Sequence, residues 1–76
     1  NMITKIKAEQ LEARKNRDTL KAKLLTTLIG ECENKTDLSD NEIIKIISKF
    51  IKNAKQMHDL GDTTANFEID ILNKYM

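Results

Sequence analysis

Apolar residues recur every three or four positions along most of the chain, which is the spacing of one face of an α-helix. The clearest example is LSDNEIIKIISKFIKNAKQ, residues 38–56, where isoleucines fall on one side of a helix and lysines on the other. No segment alternates apolar and polar residues for long, and the chain has no proline and only two glycines. The pattern therefore predicts an all-α fold without a sheet.

A capping box marks the start of the helix in this stretch. Ser39 stands at its N-cap position and Glu42 at its N3 position. The Ser39 hydroxyl can then accept from the backbone N–H of Glu42, and the Glu42 carboxylate can accept from the backbone N–H of Ser39. Leu38 and Ile43 occupy the two positions whose side chains pack together in a hydrophobic staple. We therefore expect a helix over about 40–60. Its predicted buried stripe comprises Ile43, Ile47, Phe50, Ala54 and Met57.

The other apolar patterns predict three more helices, over about 2–15, 18–33 and 63–76. Gly61 separates the last helix from its predecessor, since glycine commonly ends helices. Residues 16–18, Asn-Arg-Asp, separate the first two, because Asn and Asp favour caps over helix interiors. The alternative is one near-continuous helix over 3–32.

The length of the chain, 76 residues, sets the number of domains. It suffices for one domain and is too short for two, so residues 2–76 are expected to form a single small bundle. Short connections imply that its three to four helices pack roughly antiparallel. Asn1 precedes a plausible initiator, Met2, and is interpreted as a possible tag remnant.

Composition limits the cellular compartment and the kinds of partner that are expected for this chain. Thirteen basic and twelve acidic residues give a net charge of +1, which creates no large field for a polyanion. The single cysteine, Cys32, excludes an internal disulfide and a cysteine metal cluster and fits a reducing compartment. No apolar run approaches the roughly 18 residues of a membrane span, and the N-terminus lacks the features of a signal peptide. The sequence accordingly predicts a cytoplasmic protein with no membrane segment, no metal and no cofactor.

The residues that could carry catalysis do not form a recognisable set. Cys32 lies on an apolar helix face, where a small buried thiol is the ordinary role. His58 stands near a helix C-terminus, where the helix dipole favours a cation without any catalysis. Of the two serines, Ser39 is explained as a cap, and no glycine-rich phosphate loop is present. We therefore predict no catalytic residue and no enzymatic activity.

Two basic groups are candidates for binding a partner or RNA. Lys45, Lys49 and Lys52 share a stripe opposite the isoleucines, and a solvated helix face is the favoured interpretation of that stripe.

The second group, Arg14, Arg17 and Lys21, falls on one face if residues 3–32 form a continuous helix. It then interrupts the apolar stripe of that face. A break at residues 16–18, or long side chains that extend to solvent, would explain it structurally. The functional interpretation is a surface for phosphate or for an acidic partner.

Three segments of the chain, taken in order, resemble the YqeY-like family, whose domain also forms the tail of the GatB subunit of the tRNA-dependent amidotransferase. They are LEARKNRDTLKAKLLTTLIGECEN, LSDNEIIKIISKFIKNAKQM and NFEIDILNKYM. The resemblance covers the N-terminal helical subdomain of the family only. The family positions that this sequence matches are Asp18, Lys21, Leu25, Glu31, Asn34, Glu68, Ile69, Leu72 and Tyr75. The chain departs from the family at Thr26, where the family has arginine, and in a shorter loop at HDLGDTT.

The resemblance implies an all-helical fold and a link to glutamine-dependent amidation of aminoacyl-tRNA. In that system the chemical sites lie on other subunits or domains, so the expected function is a non-catalytic adaptor that docks on a protein or a tRNA-containing complex. One alternative is a tRNA- or RNA-binding module that uses the two basic groups. Another is an accessory role in a carbon–nitrogen ligase reaction with glutamine as amido-N donor.

Overall fold

The computed structural model describes residues 1–35 and 38–76. Within these ranges the chain forms four α-helices and no strand. The helices are α1 (Met2–Lys15), α2 (Thr19–Glu33), α3 (Asp40–Asp59) and α4 (Ala65–Asn73). α1 packs mainly against α2, and α3 packs mainly against α4; the two pairs meet where α2 contacts α3 and α4, and where α1 contacts α3. The predicted all-α helical bundle is confirmed.

All four helices, with the turn that follows α4, contribute to one apolar core. Its fully buried large side chains are Ile6, Leu25, Leu28, Ile43, Ile47 and Leu72. Burying each of these stabilises the fold by roughly 1.5–3 kcal/mol relative to leaving it exposed. The predicted stripe of α3 is buried at Ile43, Ile47 and Ala54, but Phe50 is half-buried and Met57 is 43% exposed. The apolar face of α3 is therefore covered incompletely toward its C-terminal end.

The turn between α1 and α2 breaks the chain at the predicted place. The backbone N–H of Arg17 donates to the carbonyl of Arg14 at 3.2 Å, and that of Asp18 donates to the carbonyl of Ala13 at 2.8 Å. These two bonds, with Arg17 in the left-handed conformation at φ 56°, form a Schellman motif that ends α1. The Asp18 carboxylate then accepts from the N–H of Lys21 at 3.3 Å and caps α2. A continuous helix over 3–32 is therefore wrong, and α2 begins at Thr19 because Asp18 is its cap.

The beginnings of α1 and α3 lie side by side. The Asn1 side chain accepts from the backbone N–H of Thr4 at 3.1 Å and caps α1. The backbone N–H of Met2 donates to the Asp40 carboxylate at 3.2 Å and joins the two helix starts. Ser39 Oγ accepts from the N–H of Glu42 at 3.4 Å, as the capping box predicts for α3.

The turn between α3 and α4 contains a second Schellman motif, with Gly61 at φ 101°. Asp62 follows, and its carboxylate accepts from the Thr64 hydroxyl at 2.7 Å and from the Thr64 N–H at 3.0 Å. These bonds hold the pKa of Asp62 below its ordinary value, because they favour the charged carboxylate.

The same bonds shift the start of the last helix from the predicted residue 63 to Ala65, since they hold residues 62–64 in a turn. The last helix also ends earlier than the predicted residue 76. After Asn73, the N–H of Tyr75 bonds to the carbonyl of Leu72, three residues back, and the chain continues as a turn. α3 likewise ends at Asp59 and not at residue 60, because Leu60 is its C-terminal cap.

Candidate functional site

A groove lies between α2, α3 and α4, with a volume of about 940 Å³. It forms because the helices differ in length: α3 has 20 residues and α4 has nine, so α4, about 14 Å long, covers only part of α3, about 30 Å long. The floor of the groove is apolar and continues the core outward. The apolar side chains that line it are Leu20, Leu24, Phe50, Ala54, Met57 and Leu72.

The rim of this groove is polar and carries more cations than carboxylates. Lys23 of α2 and Lys49 and Lys52 of α3 line it, together with one carboxylate, Glu68 of α4. An apolar floor inside a polar rim is the usual anatomy of a protein-binding surface.

A smaller recess of about 390 Å³ lies beside the turn that joins α1 to α2. Arg14 and Arg17 line it. It shares Thr19, Lys23 and Thr27 with the groove. These three residues follow one another at intervals of four and therefore form one ridge along α2, with the groove on one side and the recess on the other.

The structure divides each of the two basic groups that the sequence suggested. Lys49 and Lys52 line the groove, whereas Lys45 lines neither cavity and has its Nζ 3.4 Å from Oε1 of Glu42. Arg14 and Arg17 line the recess, whereas the half-buried Lys21 lines neither. The predicted cap residues stand at the start of α3: Ser39 Oγ accepts from the N–H of Glu42 as expected, and Oε1 of Glu42 accepts from Nζ of Lys45.

Lys23 is the cation that sequence reasoning missed, and it is the one that belongs to both cavities. Its neighbours at intervals of four, Thr19 and Thr27, are polar, so the sequence does mark this ridge as a polar face of α2. That signal could have found Lys23, but no sequence pattern says that α3 stands opposite it.

The five cations that line the groove and the recess are not neutralised by close acidic partners. In residues 1–35 and 38–76, ion pairs within 4 Å join Lys7 to Glu33 and Lys45 to Glu42, and the imidazole of His58 lies 3.9 Å from the Asp59 carboxylate. None of these pairs includes a cation of the groove or recess: Arg14, Arg17, Lys23, Lys49 or Lys52. The surface they line is therefore positive although the chain as a whole is almost neutral.

The reactive side chains lie apart from this surface. Cys32 is fully buried, and burial raises the pKa of its thiol above the ordinary value, with smaller contributions from the charges of Glu31 and Glu33. His58 is partly exposed and lies 3.9 Å from a carboxylate oxygen of Asp59. The described residues contain no group of three or more His, Cys, Asp or Glu side chains that could hold a metal ion. No helix in the same residues is long and apolar enough to span a bilayer.

A buried polar contact links the chain end to α1. Burial raises the pKa of Tyr75 above its ordinary value, and the Glu9 carboxylate raises it further, first as a hydrogen-bond acceptor and then through its charge. The Oε1 atom of Glu9 is buried without a hydrogen-bond partner among the residues that the structure describes. This contact lies outside the groove and the recess.

Comparison with known proteins identifies no relative. No protein-family model matches the chain, and neither does any curated protein or solved structure. The resemblance to the YqeY-like family therefore stays a prediction from the three sequence segments that carry it. The candidate site rests on its own geometry.

Proposed function

We propose that this chain is a non-catalytic adaptor that binds a helix of a partner protein in the groove between α2, α3 and α4. The observation that carries the proposal is the apolar floor of the groove, which includes the half-buried Phe50 and the 43% exposed Met57. An amphipathic helix laid into an apolar groove is a common mode of protein recognition, and it would complete the cover that the short α4 leaves unfinished.

The identity of the partner class comes from the sequence resemblance. The YqeY-like segments support a partner that belongs to a tRNA-dependent amidotransferase or to another tRNA-containing complex. The chain would then be an accessory to a carbon–nitrogen ligase reaction, with the chemistry on other subunits. The seclusion of Cys32 in the core supports the non-catalytic part of the proposal, because a reactive thiol needs exposure and a lowered pKa.

An RNA-binding module is the second candidate, and the five cations of the groove and recess favour it. Phosphate contacts would supply most of the affinity, and binding would weaken steeply with salt. The apolar floor favours a protein partner over RNA. Single-stranded RNA sites add exposed aromatic side chains on which bases stack, and Phe50, the aromatic residue of this groove, is half-buried.

The test is a selection of helical peptides from a displayed library, followed by affinity measurements on the synthetic peptides. Met57→Gln should weaken the selected peptides by about tenfold, since it replaces apolar contact area in the groove with an amide. Met76→Gln is the matched control, because Met76 is 58% exposed and lines neither cavity. Peptides that bind both variants alike would contradict the proposal.

A titration with tRNA, on the unaltered chain and on a variant of two groove lysines, decides the second candidate. Titration with tRNA at two salt concentrations should show no binding that survives moderate salt. Tight tRNA binding that weakens when Lys49 and Lys52 are changed to Gln would replace the protein-binding proposal with the RNA-binding one.

A further inference from the structure

We infer that the partner helix carries a cluster of acidic residues at one end, which crosses the α2 ridge and binds in the recess beside the α1–α2 turn. The inference rests on the proposed function, because the apolar part of the same helix must occupy the groove. It assigns to the partner a two-part chemistry: an apolar stripe followed by carboxylates.

The groove and the recess are one continuous surface. The ridge between them consists of Thr19, Lys23 and Thr27, which line both cavities. Two of these side chains are short, so the ridge is low, and the third is a flexible cation that can follow a ligand across it. A ligand longer than the groove would therefore pass over the ridge.

The recess is suited to carboxylates. Arg14 and Arg17 line it, and the guanidinium group binds carboxylates through two parallel hydrogen bonds. The contact of Arg14 with a side chain is a single long one, from Nη2 to Thr26 Oγ1 at 3.5 Å, which leaves most of its donors for a ligand. The acidic group lining the recess is Asp18, and its carboxylate already caps α2 by accepting from the N–H of Lys21.

The two cavities also differ in what they offer an apolar side chain. The groove is floored by large side chains such as Leu20, Phe50 and Met57, whereas the apolar residues of the recess are Ala13 and Ala22. An apolar stripe would therefore gain little from the recess. A bound helix has one favourable direction, with its apolar stripe in the groove between α2, α3 and α4 and its acidic end toward the α1–α2 turn.

The experiment uses two variants of the full chain that lose the same net charge. The recess variant carries Arg14→Gln, Arg17→Gln and Lys23→Gln. The control variant carries Lys5→Gln, Lys15→Gln and Lys55→Gln, at positions that are also exposed and line neither cavity. All six positions are on the surface, so thermal melts should show that both variants remain folded.

The probes are peptides selected on the unaltered chain, each synthesised also with every Glu and Asp replaced by Gln or Asn. We expect acidic residues on one side of the apolar repeat, and neutralising them should weaken binding by about tenfold or more, the sum of several exposed charge pairs. The recess variant should lose this difference between the paired peptides, and the control variant should keep it.

Three outcomes would overturn the inference, each in a different way. Peptides that are weakened by Met57→Gln but show no acidic end would refute the acidic cluster and leave the groove proposal standing. If neutralising the acidic end weakened binding equally in the recess variant and the control variant, the peptides would be attracted to overall charge and not to a site at the α1–α2 turn. Peptides unaffected by Met57→Gln would contradict the proposed function itself.

Discussion

Arg17, in the turn between α1 and α2, and Gly61, in the turn between α3 and α4, occupy the same position of the same motif. Arg17 bonds back to Arg14 at 3.2 Å and Gly61 to His58 at 2.9 Å, each through its backbone N–H. The residue after each donates to the carbonyl five positions back, at 2.8 Å and 3.0 Å. Both residues have positive φ, 56° and 101°, which glycine adopts freely and arginine does not.

The two glycines of the chain should respond to alanine with opposite signs. Gly61→Ala should destabilise the protein by about 1 kcal/mol, since alanine resists positive φ. Gly30→Ala should stabilise it by about 0.5–1 kcal/mol, because Gly30 lies inside α2 and a Cβ there meets no atom within 4 Å beyond its chain neighbours and the helix's own backbone. Urea melts of the two variants measure both changes. Equal effects would mean that the α3–α4 turn does not require positive φ.

Arg17→Gly should separate stability from binding. It should stabilise the fold by up to about 1 kcal/mol, because it removes a side chain from a left-handed position. It should also weaken acidic peptides, because Arg17 lines the recess. Arg17→Lys is the control: it keeps the charge and the backbone strain, so it should change each property less. A glycine variant that is more stable and binds acidic peptides with unchanged affinity would show that Arg17 is not part of the binding surface.

The N-cap of α3 can be tested against a serine in the same helix. Ser39→Ala should cost roughly 0.5–2 kcal/mol, since it leaves the N–H of Glu42 without its side-chain acceptor. Ser48→Ala should be neutral or slightly stabilising, because Ser48 is exposed in the interior of α3, where alanine is the better helix former. If denaturant midpoints did not distinguish the two variants, the cap would contribute nothing.

Alkaline pH should destabilise the fold. The pKa values of Cys32 and Tyr75 are raised in the folded chain, so the unfolded chain releases their protons first, from about pH 8.5 for cysteine and from about pH 10 for tyrosine. Above these values the unfolded state binds fewer protons than the folded state, and the free energy of unfolding falls as pH rises through the folded pKa values. Urea midpoints should therefore be constant near neutral pH and decline above about pH 8.5.

Tyrosinate absorbance isolates one of these groups, because Tyr75 is the single tyrosine of the chain. Glu9→Gln should bring the pKa of Tyr75 closer to its ordinary value, since it removes a negative charge from the buried phenol. Glu12→Gln, an exposed position on α1, should leave the titration unchanged. Identical titrations for the two variants would show that Glu9 does not reach Tyr75.

The three lysines of the α3 stripe should differ in their effect on peptide binding, because they differ in whether they line the groove. Single changes of Lys45, Lys49 or Lys52 to Gln should alter stability by less than about 0.5 kcal/mol each, because all three are exposed. Lys49→Gln and Lys52→Gln should weaken selected peptides, since both line the groove, while Lys45→Gln should not. Affinities measured for the three variants check this, and a loss confined to Lys45→Gln would place the binding surface elsewhere.

The local features of the fold could be predicted from the sequence. The α3 start at Ser39, the stop at Gly61 and the break at residues 16–18 depend on side chains and backbone groups within a few residues of one another. The start of α4 was missed for a local reason that competes with the apolar pattern: the Asp62 carboxylate holds Thr64 in a turn. Such competition is visible in the residue types but not in their periodicity.

By itself, the sequence determined four helices, their approximate limits and a core of isoleucine and leucine, because capping and helical periodicity act within one or two turns. Only the tertiary structure decided which side chains share a surface. Met57 belongs to the apolar stripe in sequence, yet it lies in an open groove because α4 is too short to cover it. Lys23 and Lys49 face that groove together, and Glu9 meets Tyr75, although long stretches of chain separate the members of each pair. Those arrangements depend on how the lengths and the packing of the helices bring distant residues together. No local sequence pattern contains that information.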